Sequence, residues 1–231
     1  MDSRKNYYMV LDTETANGIM IDDKLDLSQS LVYDMGYAII DKKGNIYKTR
    51  SFVNADIFCD YKEMMNSAYY AEKIPQYWED IKNKKRVLTS FYNIRKTFLN
   101  DLKEFNIKAI IAHNASFDYR ALQNTIKYLT KSKRRYFFPR NIEIWDSLKM
   151  SKDTICKQKS YIDFCLMNGY MTKHKTPRVR ATAEILYRYI TNDLDFVESH
   201  TGLEDVLIES KIFAKCLAQH KTMRKSLFNR A

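Results

Sequence analysis

Apolar residues from Tyr7 to Leu11 run into an acid at Asp12, the pattern of a short buried strand. Leu31 to Ile40 reads as a second strand. Asp41-Lys42-Lys43-Gly44-Asn45 reads as a turn and Ile46 to Val53 as a third strand, so these two form a hairpin. Residues 60–82 carry aromatic and charged side chains at helical spacing, broken near Pro75. Phe91, Ile94, Phe98, Leu102 and Phe105 recur at the three-to-four interval of an amphipathic helix. Ile107 to Ala112 is another strand, and Ala121, Leu122, Ile126 and Leu129 mark the helix after it. Ile142 to Trp145 is a last short strand. Within the basic stretch 150–180 the pattern predicts a helix around Tyr161 to Met167, and helices at about 181–190 and 202–219 finish the chain. Antiparallel strands followed by strand–helix alternation predict an α/β fold, one mixed sheet covered by helices.

Composition narrows this picture. With 231 residues, 45% hydrophobic and 29% charged, the chain has ordinary globular composition. That length predicts a single domain, with a basic insertion of undefined structure at about 150–180. The net charge of +11 predicts attraction to polyanions, either nucleic acid or an acidic membrane surface. A peripheral membrane role is disfavoured, because no long cationic amphipathic helix stands out. No apolar run approaches the ~20 residues of a membrane span, and Met1 to Lys5 leads into no signal-peptide core, so a soluble cytoplasmic protein is expected. The cysteines at 59, 156, 165 and 216 show no C-x-x-C spacing, which predicts buried reduced thiols in place of a zinc or disulfide framework.

Three stretches carry candidate chemistry. In Asp12-Thr13-Glu14 the two acids are two residues apart on a strand, so both carboxylates point to one face, ~7 Å apart along the chain. Oxygen-only ligands of this kind suit Mg²⁺ or Mn²⁺. Taken alone, a D-x-E is more often a solvated turn. Asp118 follows Ser116, an expected helix N-cap, and an acid there also favours the helix dipole. His200 and Asp205 are five residues apart, ~500° of helix and ~140° out of alignment if both were mid-helix. Thr201 and Glu204, however, have the spacing of a capping box. His200 would then precede the cap and Asp205 would be the fourth helical residue, the two positions that meet in a hydrophobic staple.

Together and in this order, these segments resemble the DEDDh exonuclease family, within the ribonuclease H-like fold. Val10-Leu11-Asp12-Thr13-Glu14-Thr15 resembles the first motif of that family, Ile111-Ala112-His113-Asn114-Ala115-Ser116-Phe117-Asp118 the second, and His200 with Asp205 the third. The resemblance implies a five-stranded mixed sheet, its first strand central and flanked by the hairpin. It also implies metal-dependent 3′-5′ hydrolysis of phosphodiester bonds, on single-stranded ends, with two divalent cations, Mg²⁺ or Mn²⁺. By resemblance Asp12 bridges both ions, Glu14 and Asp205 complete the water-activating site, Asp118 holds the second ion, and His200 is the general base. The sequence departs from the family at Ala16-Asn17, where Thr-Gly is common, and at Gly202, where alanine is frequent.

Around these five residues, His113, Asn114 and Phe117 are expected to shape the turn, and Asp146 to serve as a helix N-cap ahead of a supporting role at the site. Basic clusters stand at Lys82, Lys84, Lys85 and Arg86, at Lys131, Lys133, Arg134 and Arg135 before Tyr136-Phe137-Phe138, and at Lys173, Lys175, Arg178 and Arg180. Tyr69, Tyr70, Tyr77 and Trp78 are candidates to stack on a terminal base. Nucleic acid is the expected partner, DNA ahead of RNA, with a replication or repair protein as a further one. The alternatives are a proofreading subunit working beside a polymerase and a non-catalytic binding module of the same fold.

Overall fold

The computed structural model describes residues 5–228 except 17, 18, 22, 23, 27, 61, 67 and 69. Alternation along β1 (Tyr7–Ala16) sends Tyr7, Met9 and Leu11 into one buried cluster and Tyr8 and Val10 into another, so both faces of this strand are covered. A small hairpin follows, β2 (Ile19–Ile21) with β3 (Lys24–Asp26). Then come β4 (Leu31–Asp41), buried along its whole length, and β5 (Ile46–Asn54). The short helices α1 (Ala55–Phe58) and α2 (Lys62–Asn66) and the helix α3 (Ile74–Lys82) lead to β6 (Val87–Thr89). Pro75 lies in the first turn of α3, where its missing N–H costs nothing, so it starts that helix instead of breaking one.

After β6 the chain runs through α4 (Phe91–Glu104), β7 (Ala109–Ala112), α5 (Ser116–Thr130) and β8 (Glu143–Asp146). The helices α6 (Ser147–Asp153), α7 (Lys159–Met167), α8 (Ala183–Thr191) and α9 (Gly202–Leu217) complete it. The main sheet has six strands in the order β6-β5-β4-β1-β7-β8, one more than the five expected. The additional strand, β6, has three residues, too few for an alternation to show, and is held by parallel pairing of Val87–Thr89 with Phe52–Asn54. β1 lies between β4, antiparallel to it, and β7, parallel to it, so the hairpin of β4 and β5 flanks it as expected.

One cluster packs α4 and α5 against the face carrying Met9 and Leu11, and the other packs α6 to α9 against the face carrying Tyr8 and Val10. The basic stretch is ordered: α6 and α7 cover the second face, and an isolated bridge between Met171 and Val179 folds the loop that follows. Cys156, Cys165 and Cys216 are buried free thiols, whereas Cys59 is exposed, contrary to expectation, because it follows the last turn of the four-residue α1. No helix among the described residues is long and apolar enough to cross a membrane.

Candidate active site

β1 continues past Asp12 and Glu14 to Ala16, with an irregularity in its pairing after Glu14. Its parallel pairing with β7 spans only Tyr8 to Val10, so both acids lie beyond that neighbour. By alternation Asp12 and Glu14 follow Tyr8 and Val10 to the face covered by α9. Thr13 follows Leu11 to the other face, where its hydroxyl donates to Asp118 Oδ1 at 2.9 Å. Asp118 stands in the first turn of α5 as expected, but Ser116 is the first helical residue and Ala115 the cap, which makes no side-chain bond. The turn before it is shaped by Asn114, whose φ of 70° is left-handed, and whose amide donates to Asp146 Oδ1 at 3.2 Å. Asp146 also caps α6, accepting from Leu148 N at 3.0 Å and Lys149 N at 3.4 Å. His113 ties this turn to the helical face, with Nδ1 3.0 Å from Ser147 Oγ and Nε2 2.8 Å from the Ala181 carbonyl.

The start of α9 is held by the sheet. The Gly202 amide donates to Asp34 Oδ2 on β4 at 2.9 Å, an acid cap supplied from a distant strand. The expected capping box does not form: the Thr201 hydroxyl donates to the Glu204 carboxylate at 2.7 Å and makes no bond to a helix amide. Glu204 is also paired with Arg86, 2.9 Å away. His200 nevertheless meets Asp205, because its backbone is left-handed at φ 50°, a region histidine enters more readily than most side chains. Its ring stacks on Tyr70 with centroids 4.8 Å apart and planes 12° from parallel. Lys73 donates to the carbonyl oxygens of Ser199 and His200, which fixes the segment entering the helix.

These elements bring together ligand atoms of Asp12, Glu14 and Asp205 within 4.8 Å of one another, and those of Glu198, His200 and Asp205 within the same distance. Asp205 belongs to both groups. Asp118 is a close electrostatic neighbour of Asp12. Two further acids border the site that the motifs did not indicate, Glu198 and Glu209. Glu209 was legible in principle: it is one turn beyond Asp205, on a stripe of α9 continued by the buried Ile212, Phe213 and Cys216. Glu198 lies in the extended segment before the helix and has no comparable signal.

Burial together with mutual repulsion raises every one of these carboxylates. Burial, then Asp118, Glu209, Glu14 and Asp205, pushes Asp12 well above the carboxylate range. Burial, then Asp34 and Asp205, takes Glu14 to about 9, with Lys73 opposing. Asp205 is raised to about 8 by burial and Glu198, Glu198 to about 7 by burial and Glu184, and Asp118 to about 7 by burial against the Thr13 hydrogen bond. His200 is shifted the other way, below its usual value, by burial and by Lys73. Oxygen donors that cannot all ionise side by side, with one imidazole among them, fit hard divalent cations such as Mg²⁺ or Mn²⁺.

The site lies in a cleft of ≈ 1170 Å³ whose lining also includes His113, Phe117, Lys152, Arg178 and Arg180. The lining thus holds acidic and basic side chains together, and Arg178 and Arg180 of the 173–180 cluster are among the basic ones. The Lys131–Arg135 group is absent from that lining and follows the far end of α5, while Phe137 and Phe138 are core residues. Arg86 is 3% exposed and bound to Asp34, Asp80 and Glu204, so it is a structural ion-pair centre and not part of a binding track. Tyr77 is likewise buried, donating to Asp34 at 2.6 Å, and Trp78 packs on Phe58. Tyr70 lines the cleft; Tyr69 lies outside the described residues.

No protein-family model matches the chain, and no curated protein matches it. Solved structures do. A full-length 3'-exonuclease is 12% identical with a TM-score of 0.61, the match covering 98% of this chain and 92% of that one. The nuclease domain of 3'hExo, a DEDDh family member bound to rAMP, is 14% identical with a TM-score of 0.54 over 98% of this chain and 100% of that one. Pop2p of S. pombe in its Mg²⁺- and Mn²⁺-bound form is 13% identical with a TM-score of 0.50, over 94% of this chain and 84% of that one. At such identities the likeness establishes the fold, which is the ribonuclease H-like α/β architecture.

Proposed function

We propose that the chain is a metal-dependent 3′-5′ exonuclease that removes nucleotides from single-stranded ends of nucleic acid. The observation that carries this is the convergence of Asp12, Glu14 and Asp205 oxygens within 4.8 Å, with His200 in an adjoining group that shares Asp205. Asp12, Glu14, Asp118 and Asp205 would hold two divalent cations, as the DEDDh resemblance implies. When bound, such a pair supplies the positive charge that stabilises the attacking and leaving oxygens of an in-line displacement. Pop2p, which shares the fold, was solved with Mg²⁺ and Mn²⁺.

The protein's own groups do the rest. His200, its pKa lowered by burial and Lys73, is neutral near pH 7 and has a lone pair to take the proton of the attacking water. Stacking on Tyr70 holds the imidazole in one orientation. Arg178 and Arg180 on the cleft wall attract the phosphates of the incoming strand, and the cluster excess of positive charge steers it.

A digestion panel tests this: 3′- and 5′-labelled DNA and RNA oligonucleotides incubated with Mg²⁺, Mn²⁺ or chelator. Stepwise release of mononucleotides from the 3′ end, abolished by chelator, is the expected result, and the panel separates DNA from RNA as substrate. Oligonucleotides left intact in Mn²⁺ would refute the proposal.

A further inference from the structure

Glu209 is 3% exposed, and its Oε2 finds no hydrogen-bond partner among the described residues. The His113 backbone lies near enough to the carboxylate to favour its charged form, which sets α9 beside the second motif. Its charged neighbours are Asp118, Asp205 and Glu198, and it is in turn a neighbour of Asp12. Among the described residues Glu209 forms no salt bridge. Leaving a buried carboxylate oxygen bare forfeits its hydration; Asp34, whose Oδ1 is also bare, is offset by its ion pair with Arg86, whereas Glu209 has no such ion pair among the described residues. Here a bare oxygen is set among four acids on the same helical stripe as Asp205, where packing against β1 otherwise calls for an apolar residue.

We infer that Glu209 is a fifth acidic residue of the metal-holding cluster, a positioning group whose free oxygen and negative charge strengthen cation binding by Asp12, Asp118 and Asp205. This rests on the metal-dependent reading of the cleft. Glu209 adds negative charge beside the four acids from inside the protein, where solvent does not screen it.

Mn²⁺ binding to the full chain, measured by titration calorimetry, tests this on Glu209→Gln, which keeps the shape and removes the charge. The expected Kd is raised about 10-fold or more, in the range typical when a group supporting metal ligands is lost. Melting in chelator should show the variant at least as stable as wild type, which a merely structural glutamate would not allow. Glu209→Asp, which keeps the charge, should bind Mn²⁺ more tightly than the Gln variant. A Gln variant with wild-type Mn²⁺ affinity overturns this inference alone; should that variant not fold, wild-type affinity in Glu209→Ala overturns it equally. Wild-type protein that binds no Mn²⁺ overturns the nuclease proposal and this one with it.

Discussion

Gly36 on β4 approaches Gly202 at the start of α9 so closely that a Cβ on Gly36 would stand 2.3 Å from the Gly202 carbonyl carbon. Gly36 is also the strand partner of Asp12, so this contact sets how far Asp205 and His200 stand from the first motif. Gly36→Ala is therefore expected to push α9 off the sheet. The stability loss should be about 1–3 kcal/mol, as for other overpacked sites, accompanied by loss of hydrolysis. Urea unfolding and turnover on a labelled strand check both, and an active variant of wild-type stability would show that the backbone contact is dispensable.

The same contact shows what the sequence could and could not disclose. Strands with apolar runs of five or more residues, the hairpin and α4, α5 and α9 were legible because one buried face imposes its period. Asp12 and Glu14 share a face by alternation alone. What joined His200 to Asp205 was not the capping box that Thr201 and Glu204 suggest but a left-handed His200 and a cap from Asp34, more than 160 residues earlier in the chain. Tertiary bonds of that range leave no local pattern. Arg86 likewise reads as one more base in a cluster, and only the folded chain surrounds it with three acids. Gly202 departs from alanine for a steric reason: a Cβ there would lie 2.7 Å from the Gly36 amide nitrogen.

Asp12→Asn and Asp205→Asn each remove one of several like charges packed together without cations. Hydrolysis should be abolished in both. Above pH 7 in chelator neither should melt lower than wild type, and each kcal/mol of relieved repulsion should raise Tm by about 2–4 °C. Cleavage at wild-type rates by either variant would remove that residue from the site.

The raised carboxylates set the pH dependence of the metal-free protein. Asp118 at about 7, Asp205 at about 8 and Glu14 at about 9 hold protons in the folded state that the unfolded chain has already released. Their contribution to stability is complete below the ordinary carboxylate range of about 4. It is lost as pH rises through the folded values, because the folded state binds more protons than the unfolded one across that window. Tm in chelator should fall between pH 6 and pH 9, and Mn²⁺ should reverse the fall by replacing the protons. A metal-free Tm that is flat or rising over this interval would contradict the buried repulsion.

Arg86 donates to Asp34 at 3.2 Å, to Asp80 at 3.1 Å and to Glu204 at 2.9 Å. Arg86→Met leaves Asp34 as a buried charge beside the Gly202 cap, and a loss of about 3–5 kcal/mol is expected from breaking a buried ion pair on one side. Arg86→Lys should recover little of it, since a single ammonium cannot reach three carboxylates in a plane. Chemical denaturation measures both; a Met variant of wild-type stability would mean that the ion-pair centre contributes nothing net.

The basic wall makes a quantitative claim about substrate binding. Arg178 and Arg180 line the cleft with Lys152 of α6 and with His174, which shares their loop, closed by the Met171–Val179 bridge. If each arginine neutralises one phosphate of a single strand, each accounts for about 0.7 in the slope of log K against log salt. Arg178→Ala with Arg180→Ala should therefore lower the slope by about 1.4 and weaken binding at low salt across all sequences alike. Lys131→Ala with Lys133→Ala, at the far end of α5 and outside the cleft lining, should leave the slope unchanged. Fluorescence anisotropy with a labelled oligonucleotide in Ca²⁺ from about 50 to 200 mM salt resolves the difference. Equal slopes for the two double variants would place the strand elsewhere, and a larger change for the Lys131 and Lys133 pair would route it past the end of α5.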